Sequence, residues 1–311
     1  MNLFGIIPPL VTPLQPDGSV DTQSLRRLVA YLIKNGVHGL FVLGSTGECA
    51  QLTDAQRQIV LNTVITSASG AVPVVVGIIE NSTERMIEQG LRARKAGAQA
   101  VVATAPSYYT HTQHEIIEHF RALRNAIDLP VIAYNIPSMV KVNLSPETIR
   151  TLAQEQTIVA LKDTSPDLSA TRGIILACRD IENFSMFTGL EWVTDLALEI
   201  GAHGAVPGLG NVAPADYVAI YNAVNEGDLD TARRHQERMI ALFEICYQGN
   251  RKGSQSANAF GGFKSALVWL GILEHTTVAR PMTQMDSEGH ARVRTILEQL
   301  GFLEELNPQA I

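Results

Sequence analysis

Short apolar runs alternate with longer amphipathic segments through the first two thirds of the chain. The runs are rich in β-branched residues and lack polar alternation, which is typical of parallel strands buried on both faces. They lie at 5–11, 39–43, 73–77, 100–104, 130–134, 158–162, 184–188 and 204–207. Helix-length segments separate them, at 21–35, 53–69, 82–96, 113–126, 145–155, 167–179 and 191–200.

Capping residues mark where several of these helices begin. Asp21, Thr53, Ser82 and Ser145 each precede a helix-length segment. Their side-chain oxygens can accept hydrogen bonds from the unpaired N–H groups of a first helical turn. The pattern therefore predicts eight strand–helix alternations within about 225 residues.

Eight parallel strands can form either an open doubly wound sheet or a closed barrel. The count of eight and the even spacing favour the barrel. A doubly wound sheet also carries a glycine-rich turn after its first strand, whereas the turn here is TPLQPDGS. Strand signals stop after about residue 227, and helical segments follow. We predict an α/β fold, a (β/α)8 TIM barrel over residues 1–227 that carries the active site, and a C-terminal three-helix region over 228–311.

Composition narrows the class of protein. The chain has 311 residues, 46% hydrophobic and 18% charged, as expected of a globular protein. A net charge of −7 argues against a nucleic-acid or anionic-membrane partner. The three cysteines form no CxxC pair, which fits a reducing compartment. The first apolar stretch lacks a basic flank and no segment reaches the length of a membrane span, so we predict a cytoplasmic protein.

Polar residues gather where the predicted strands end. GSTGE follows the second strand, APSYY the fourth and YNIP the fifth, and the sixth strand ends on Lys162. In a barrel of this kind the carboxyl ends of all strands meet at one mouth, which is where active sites are built. The sequence therefore predicts an active site that includes these motifs.

Lys162 has two interpretations. A lysine at a strand end can simply extend its ammonium to water. A buried lysine can instead be a neutral amine that attacks a carbonyl. The second interpretation needs a group that moves protons, and Tyr134 on the adjacent strand can both donate and accept them. The GSTG turn offers backbone N–H groups and two hydroxyls to a carboxylate.

These motifs, with RPM at 280–282 and TPL and DGSVD near the N-terminus, resemble the dihydrodipicolinate synthase/N-acetylneuraminate lyase family. The resemblance covers essentially the whole chain, in the family's order. It implies a pyruvate-dependent lyase on an eight-stranded barrel with a helical C-terminal region. It also implies a homotetramer of tight dimers and no cofactor besides the imine formed on the lysine.

The resemblance also implies roles for particular residues. Lys162 would form the Schiff base with pyruvate, and Tyr134 would be the general acid and base. Ser45, Thr46 and Gly47 would bind the substrate carboxylate, and Ser45 would also relay protons. Tyr108 would be the tyrosine that one subunit contributes to its partner's site across the dimer interface. The Val206 backbone carbonyl would face pyruvate, and Gly77 would line the site.

Two positions depart from the family's pattern and bear on the substrate. Met139 stands where the synthases carry an arginine for the carboxylate of aspartate semialdehyde, and a thioether cannot replace a guanidinium. Glu191-Trp192 stands where the sialic-acid lyases carry an Asp-Glu pair for sugar hydroxyls. Glu191 could still bind a hydroxyl of a shorter substrate. Three changes at the family's lysine-inhibition site (Asp54, Arg57 and Ser107) argue against that regulation.

We therefore predict a Schiff-base lyase that reversibly cleaves a 2-keto-3-deoxy sugar acid, or a related 4-hydroxy-2-oxo acid, to pyruvate and an aldehyde. Two enzyme alternatives are synthesis of dihydrodipicolinate from pyruvate and aspartate semialdehyde, and dehydration of a 2-keto-3-deoxy acid. A fourth hypothesis is a non-catalytic keto-acid-binding regulatory protein. A further hypothesis is a metal- or nucleotide-dependent barrel enzyme, which chelator-sensitive activity would support.

Two further motifs have partial matches to a dinucleotide-binding site and to a metal site. PGLGNVA at 207–213 has the spacing G-x-G-x-x-A but follows the last strand, which predicts a tight turn at the barrel rim and not a dinucleotide site. HTQHEIIEH at 111–119 matches no standard zinc spacing, so we predict no metal and a solvated helix face for His111, His114 and His119.

Overall fold

A computed structural model describes residues 3–304. Within them lie eight strands, all paired in parallel. They are β1 (Gly5–Ile6), β2 (Leu40–Val42), β3 (Val74–Gly77), β4 (Ala100–Ala103), β5 (Val131–Asn135), β6 (Ala160–Asp163), β7 (Ser185–Thr188) and β8 (Gly204–Ala205). Every residue of these strands is buried, as the unbroken apolar runs predict.

The sheet closes into the predicted barrel. Strands β2 to β8 pair in sequence order, and β8 pairs with β1. The residues after β1 reach β2 through a parallel bridge between Pro9 and Phe41. There the Leu10 N–H donates to the Phe41 carbonyl at 2.8 Å. Strand β1 is shorter than the predicted run 5–11 because Pro8 and Pro9 have no N–H to donate to a ladder.

Nine helices accompany the strands in the described part of the barrel. They are α1 (Thr22–Lys34), α2 (Asp54–Ala68), α3 (Thr83–Ala96), α4 (Gln113–Ile127), α5 (Pro137–Val140), α6 (Pro146–Gln154), α7 (Leu168–Cys178), α8 (Thr194–Glu199) and α9 (Pro214–Glu226). The four predicted N-caps are confirmed, since the side chains of Asp21, Thr53, Ser82 and Ser145 each accept a hydrogen bond from the first turn.

Two barrel helices differ from the sequence pattern. The predicted helix 191–200 is a 3-10 turn, Glu191–Val193, followed by α8. Helix α5 was not predicted and begins at Pro137, within the YNIP motif. Proline at the first helical position is favourable because its fixed φ suits the helix and its missing N–H would have no partner there.

Three further helices follow the barrel: α10 (Leu229–Phe243), α11 (Gln255–Trp269) and α12 (Ser287–Gln299). Helix α11 packs against α12 and also against the 3-10 turn Leu209–Asn211, which follows β8. The C-terminal helices therefore reach the rim of the barrel at the carboxyl ends of its strands. No helix within residues 3–304 combines the length and the apolar character needed to cross a bilayer.

His119 departs from the prediction of a solvated face. Its side chain is 5% exposed because it lies on the stripe of α4 that also carries Ile116 and Phe120. Its Nδ1 lies 2.9 Å from Thr83 Oγ1, and its Nε2 lies 3.2 Å from the Thr104 carbonyl oxygen. Burial lowers the pKa of His119 to about 4, so the imidazole is neutral near pH 7.

Candidate active site

The site is centred on Lys162 and Tyr134, which occupy directly paired positions of β6 and β5. Because paired residues of adjacent parallel strands point the same way, both side chains project together from the sheet. The Lys162 Nζ lies 4.1 Å from the centroid of the Tyr134 ring and 5.3 Å from that of Phe41 on β2. The Nζ thus lies over two aromatic rings, whose faces attract a cation.

The lysine is buried without a carboxylate partner. Lys162 is 6% exposed and Tyr134 is 3% exposed. Across residues 3–304, no aspartate or glutamate lies within ion-pair distance of the Lys162 Nζ. The position of Lys162 therefore does not match a lysine that extends its ammonium to water. A buried amine beside a phenol has the parts needed for attack on a carbonyl and for the proton transfers that follow.

The GSTGE turn after β2 supplies the polar groups predicted for a carboxylate. The Gly47 and Glu48 N–H groups are used within the turn, donating to the Gly44 and Ser45 carbonyls at 3.0 and 2.9 Å. In the described chain, the N–H groups of Ser45 and Thr46 donate no hydrogen bond. These two partly exposed residues keep their N–H groups and hydroxyls available to an anion.

Gly77 permits this turn to approach the next strand. A Cβ at Gly77 would lie 2.1 Å from the Leu43 carbonyl oxygen. Leu43 itself has φ of 59°, a left-handed conformation that is strained for a bulky residue. The structure therefore places Gly77 against the backbone that leads into the GSTGE turn, where its small size is required.

Glu191 lies at the rim between β7 and β8, and its carboxylate is held by protein groups. Its Oε2 accepts hydrogen bonds from the Leu209 N–H at 2.8 Å and from the Tyr217 hydroxyl at 3.1 Å. Burial raises the pKa of the Glu191 carboxyl, against the opposing hydrogen bonds from the Leu209 and Gly208 N–H groups and from the Tyr217 hydroxyl and the weaker effect of the Lys162 charge. Glu191 thereby fixes the PGLGNVA segment as the predicted rim turn.

The other predicted residues fall into two groups. Val206 is buried directly after β8, and its carbonyl accepts no hydrogen bond within residues 3–304. Tyr108 and Met139 are instead 69% and 56% exposed. Tyr108 packs edge-on against Tyr109, with ring centroids 5.1 Å apart. The structure thus buries Lys162, Tyr134 and Val206 and leaves Tyr108 and Met139 on the surface.

The structure adds three residues that the sequence did not single out. Phe41 provides one of the two rings over which the Lys162 Nζ lies. Thr164 Oγ1 is buried with no hydrogen-bond partner among the described residues. Gly189 lies beside both groups, since a Cβ there would be 2.2 Å from Thr164 Oγ1 and 3.2 Å from the Lys162 Cε. The strand-end position of Thr164, two residues after Lys162, was the available signal.

A buried, unpaired lysine beside a tyrosine at the mouth of a (β/α)8 barrel indicates an enzyme. Residues 2–300 match the model of the dihydrodipicolinate synthetase family. The chain belongs to this family, whose members include pyruvate-dependent lyases and synthases, and it is an enzyme of that lyase class.

Three relatives illustrate the range within the family. The probable 2-dehydro-3-deoxy-D-pentonate aldolase YjhH of Escherichia coli K12 is 30% identical, over 96% of this chain and 98% of that protein. The solved dihydrodipicolinate synthase of Bacteroides thetaiotaomicron is 36% identical, with a TM-score of 0.91 over 96% of this chain and 100% of that one. YagE of E. coli K12, solved in complex with pyruvate, is 30% identical, with a TM-score of 0.89 over 96% and 98%.

Proposed function

We propose that this protein is a Schiff-base lyase that reversibly cleaves a 2-keto-3-deoxy sugar acid, or a related 4-hydroxy-2-oxo acid, to pyruvate and an aldehyde. The observation that carries the proposal is the paired placement of Lys162 and Tyr134, with the Nζ 4.1 Å from the ring centroid. The aldolase name of one relative and the pyruvate complex of another support it.

The proposed reaction begins when the Lys162 amine attacks the C2 carbonyl of the substrate. Loss of water gives an imine, and Tyr134 passes the protons that this step moves. Tyr134 then removes the proton of the C4 hydroxyl as the C3–C4 bond breaks. The bonding electrons become the enamine of pyruvate, and the aldehyde leaves. Protonation at C3 and hydrolysis return pyruvate and the free amine, so no further cofactor is needed.

The substrate carboxylate would bind at the GSTGE turn. The free N–H groups of Ser45 and Thr46 and their hydroxyls can together neutralise a carboxylate without a cation. The unpaired Val206 carbonyl can accept a hydrogen bond from the hydroxyl of the carbinolamine or of the substrate. We assign Ser45 a share in the proton relay, because its hydroxyl can both donate and accept a hydrogen bond.

The aldehyde part of the substrate is where the alternatives divide. Met139 is 56% exposed on α5 and offers no charge to the carboxylate of aspartate semialdehyde, which disfavours the synthase reaction. Glu191 is hydrogen-bonded to Leu209 and Tyr217, which leaves it little capacity for sugar hydroxyls. These features favour a shorter sugar acid over sialic acid.

The first experiment is reductive trapping. The protein is incubated with pyruvate and borohydride, digested and examined by mass spectrometry. The proposal expects a reduced pyruvate adduct on Lys162. Lys95, on α3, is a matched internal control, because it is exposed and should carry no adduct. Absence of an adduct, or an adduct at another lysine, would overturn the proposed mechanism.

The second experiment identifies the reaction. A panel of 2-keto-3-deoxy pentonates and hexonates is assayed for released pyruvate and, in parallel, for 2-oxo dehydration products. Pyruvate with aspartate semialdehyde is the synthase arm. Release of pyruvate supports the aldolase. A 2-oxo dehydration product would instead support the dehydratase, and condensation of pyruvate with aspartate semialdehyde would support the synthase. Trapping on Lys162 without turnover in any arm would support a keto-acid-binding protein.

The proposal includes a cytoplasmic homotetramer built from tight dimers. Tyr108, Tyr109 and Met139 are exposed apolar residues that follow neighbouring strands and could be covered by a second copy. The three cysteines are free and buried, which fits a reducing compartment. Light scattering after size-exclusion chromatography gives the mass directly, and a monomer at working concentration would contradict this part of the proposal.

A further inference from the structure

A fully buried ion pair joins the GSTGE turn to the C-terminal helices. Glu48, the last residue of the motif, contacts the Lys264 ammonium of α11 through Oε1, and both side chains are 0% exposed. Glu48 Oε2 accepts a hydrogen bond from the Ala279 N–H at 2.5 Å. The Lys264 Nζ also donates to the Thr277 carbonyl at 2.6 Å. Glu48 of the barrel therefore meets three residues of the C-terminal region, Lys264, Thr277 and Ala279, at one buried point.

Glu48 is part of the turn that presents the free N–H groups. Its own N–H donates to the Ser45 carbonyl, and its φ of 59° lies in the left-handed region. A non-glycine residue keeps this conformation only where its surroundings hold it. The two contacts of the Glu48 carboxylate, with Lys264 and with Ala279, provide that restraint next to Gly47 and two residues from Thr46.

The pair is not explained by stability alone. Moving two charges out of water costs about as much as their attraction returns, so a buried pair is weak support for a stabilising role. Such pairs are better attested where they select one geometry among several. Burial lowers the pKa of Lys264, whereas the Glu48 carboxylate favours its charged form.

We infer that Glu48 and Lys264 are positioning residues that fix the GSTGE turn for the carboxylate of a 2-oxo acid. Through Ala279 and Thr277, they make the carboxylate-binding geometry depend on α11 and on the segment that leads to Arg280. This inference rests on the proposed function, because it assigns the turn to the substrate's carboxylate. Neither residue touches the reacting atoms.

Two uncharged double variants test the inference while removing the buried charges in the same way. In Glu48→Gln/Lys264→Met, the amide oxygen can still accept a hydrogen bond from the Ala279 N–H. In Glu48→Leu/Lys264→Met, the side chains fill a similar volume but offer the Ala279 N–H no acceptor. The two variants differ only in the contacts that hold the turn.

The readout is the rate of borohydride trapping on Lys162 against pyruvate concentration. The Leu variant is expected to need about 10-fold more pyruvate for half-saturation than the Gln variant, with maximal trapping rates within about threefold. The Gln variant should resemble the wild type. Leu297→Ala, a buried substitution in α12, is a control that lowers thermal stability without changing half-saturation.

A second readout does not depend on pyruvate. Hydrogen exchange at the backbone of residues 44–49 should be faster in the Leu variant than in the Gln variant, because the turn is less restrained. Equal half-saturation and equal exchange in the two double variants would overturn the inference while leaving the proposed function intact. If the wild type traps no pyruvate but exchange still separates the variants, the proposed function fails and the positioning of the turn stands.

Discussion

Two lysines are buried in the described chain, and they are held in opposite ways. Lys264 on α11 is fully enclosed, faces the Glu48 carboxylate and donates to a backbone carbonyl. Lys162 at the end of β6 is 6% exposed and faces the rings of Tyr134 and Phe41. The charge of Lys264 is compensated by a carboxylate in contact with it, whereas Lys162 lies against two aromatic rings with no carboxylate within ion-pair distance among the described residues.

This difference separates a lysine that holds structure from one that is available for chemistry. Leaving a buried charge uncompensated costs stability, so an unpaired buried amine is retained where something other than folding requires it. A compensated amine is occupied by its partners and is a poor nucleophile. The position of Lys162 at the barrel mouth and its tyrosine neighbour agree with this distinction.

The largest expected effect is on activity when Lys162 is changed. We expect Lys162→Met to lower kcat/KM by at least on the order of 10⁴-fold, because the variant lacks the amine on which the proposed imine forms. The same change should leave the free energy of unfolding within about 1 kcal/mol of the wild type or raise it, since it removes an unpaired buried charge. Steady-state assays and urea unfolding measure both quantities. Substantial residual turnover would mean that Lys162 is not the reacting amine, which would contradict the proposed difference between the two lysines.

A smaller loss is expected for Tyr134→Phe. The ring that packs against the Lys162 Nζ remains, whereas the phenolic proton is lost. General acid–base catalysis contributes about 10² to 10⁴-fold, so kcat should fall within that range. Borohydride trapping of pyruvate should still reach Lys162, but more slowly. If kcat were unchanged, the tyrosine would be only an aromatic wall for the amine, and another group would have to move the protons.

Lys264→Met is expected to lower the stability of the fold, whereas Lys162→Met is expected to lower activity. Removing one partner leaves the Glu48 carboxylate buried without compensation, which costs about 3–5 kcal/mol in the free energy of unfolding. Lys252→Met is the matched control, because Lys252 is exposed and its loss should cost less than about 0.5 kcal/mol. Urea unfolding of both variants gives the values. Equal stability of the two would mean that Lys264 is not held by its charge.

The sequence revealed one of these lysines and not the other, for a physical reason. Lys162 ends an apolar run that predicts a strand, and barrel topology places the end of that strand beside the strand of Tyr134. This prediction requires no knowledge of side-chain packing. Lys264 stands within GGFKSAL, where helical spacing allows either a buried or a solvated side chain. Its partner Glu48 belongs to a different part of the chain, so only the folded structure brings the two together.

The same limit applies to the site's finer geometry. The N-caps and the strand ends depend on local patterns, and they were predicted within a few residues. The ring of Phe41, the orphan hydroxyl of Thr164 and the hydrogen bonds of Glu191 depend on contacts between separate strands and turns. Those contacts follow from how the elements pack, and local sequence does not contain that information.

His119 is another buried basic side chain and is accommodated in a different way from the two lysines. It remains neutral and so avoids the free-energy cost of burying a charge. Burial lowers its pKa to about 4 in the folded protein, against about 6.5 in the unfolded chain. Between these values the unfolded state binds more protons, so the unfolding free energy falls as the pH decreases from about 6.5 to 4. The difference corresponds to about 3 kcal/mol for this residue.

We therefore expect His119→Gln to reduce the loss of stability over this pH window relative to the wild type. Urea unfolding at several pH values between 7 and 4 measures it. His114→Gln, on the exposed face of the same helix, is the control and should keep the wild-type pH dependence. If both variants lost stability as steeply as the wild type, His119 would not be a buried neutral base. The difference in how buried basic groups are accommodated would then apply only to the two lysines. Lys264 is paired with a carboxylate, and Lys162 has no such partner among the described residues.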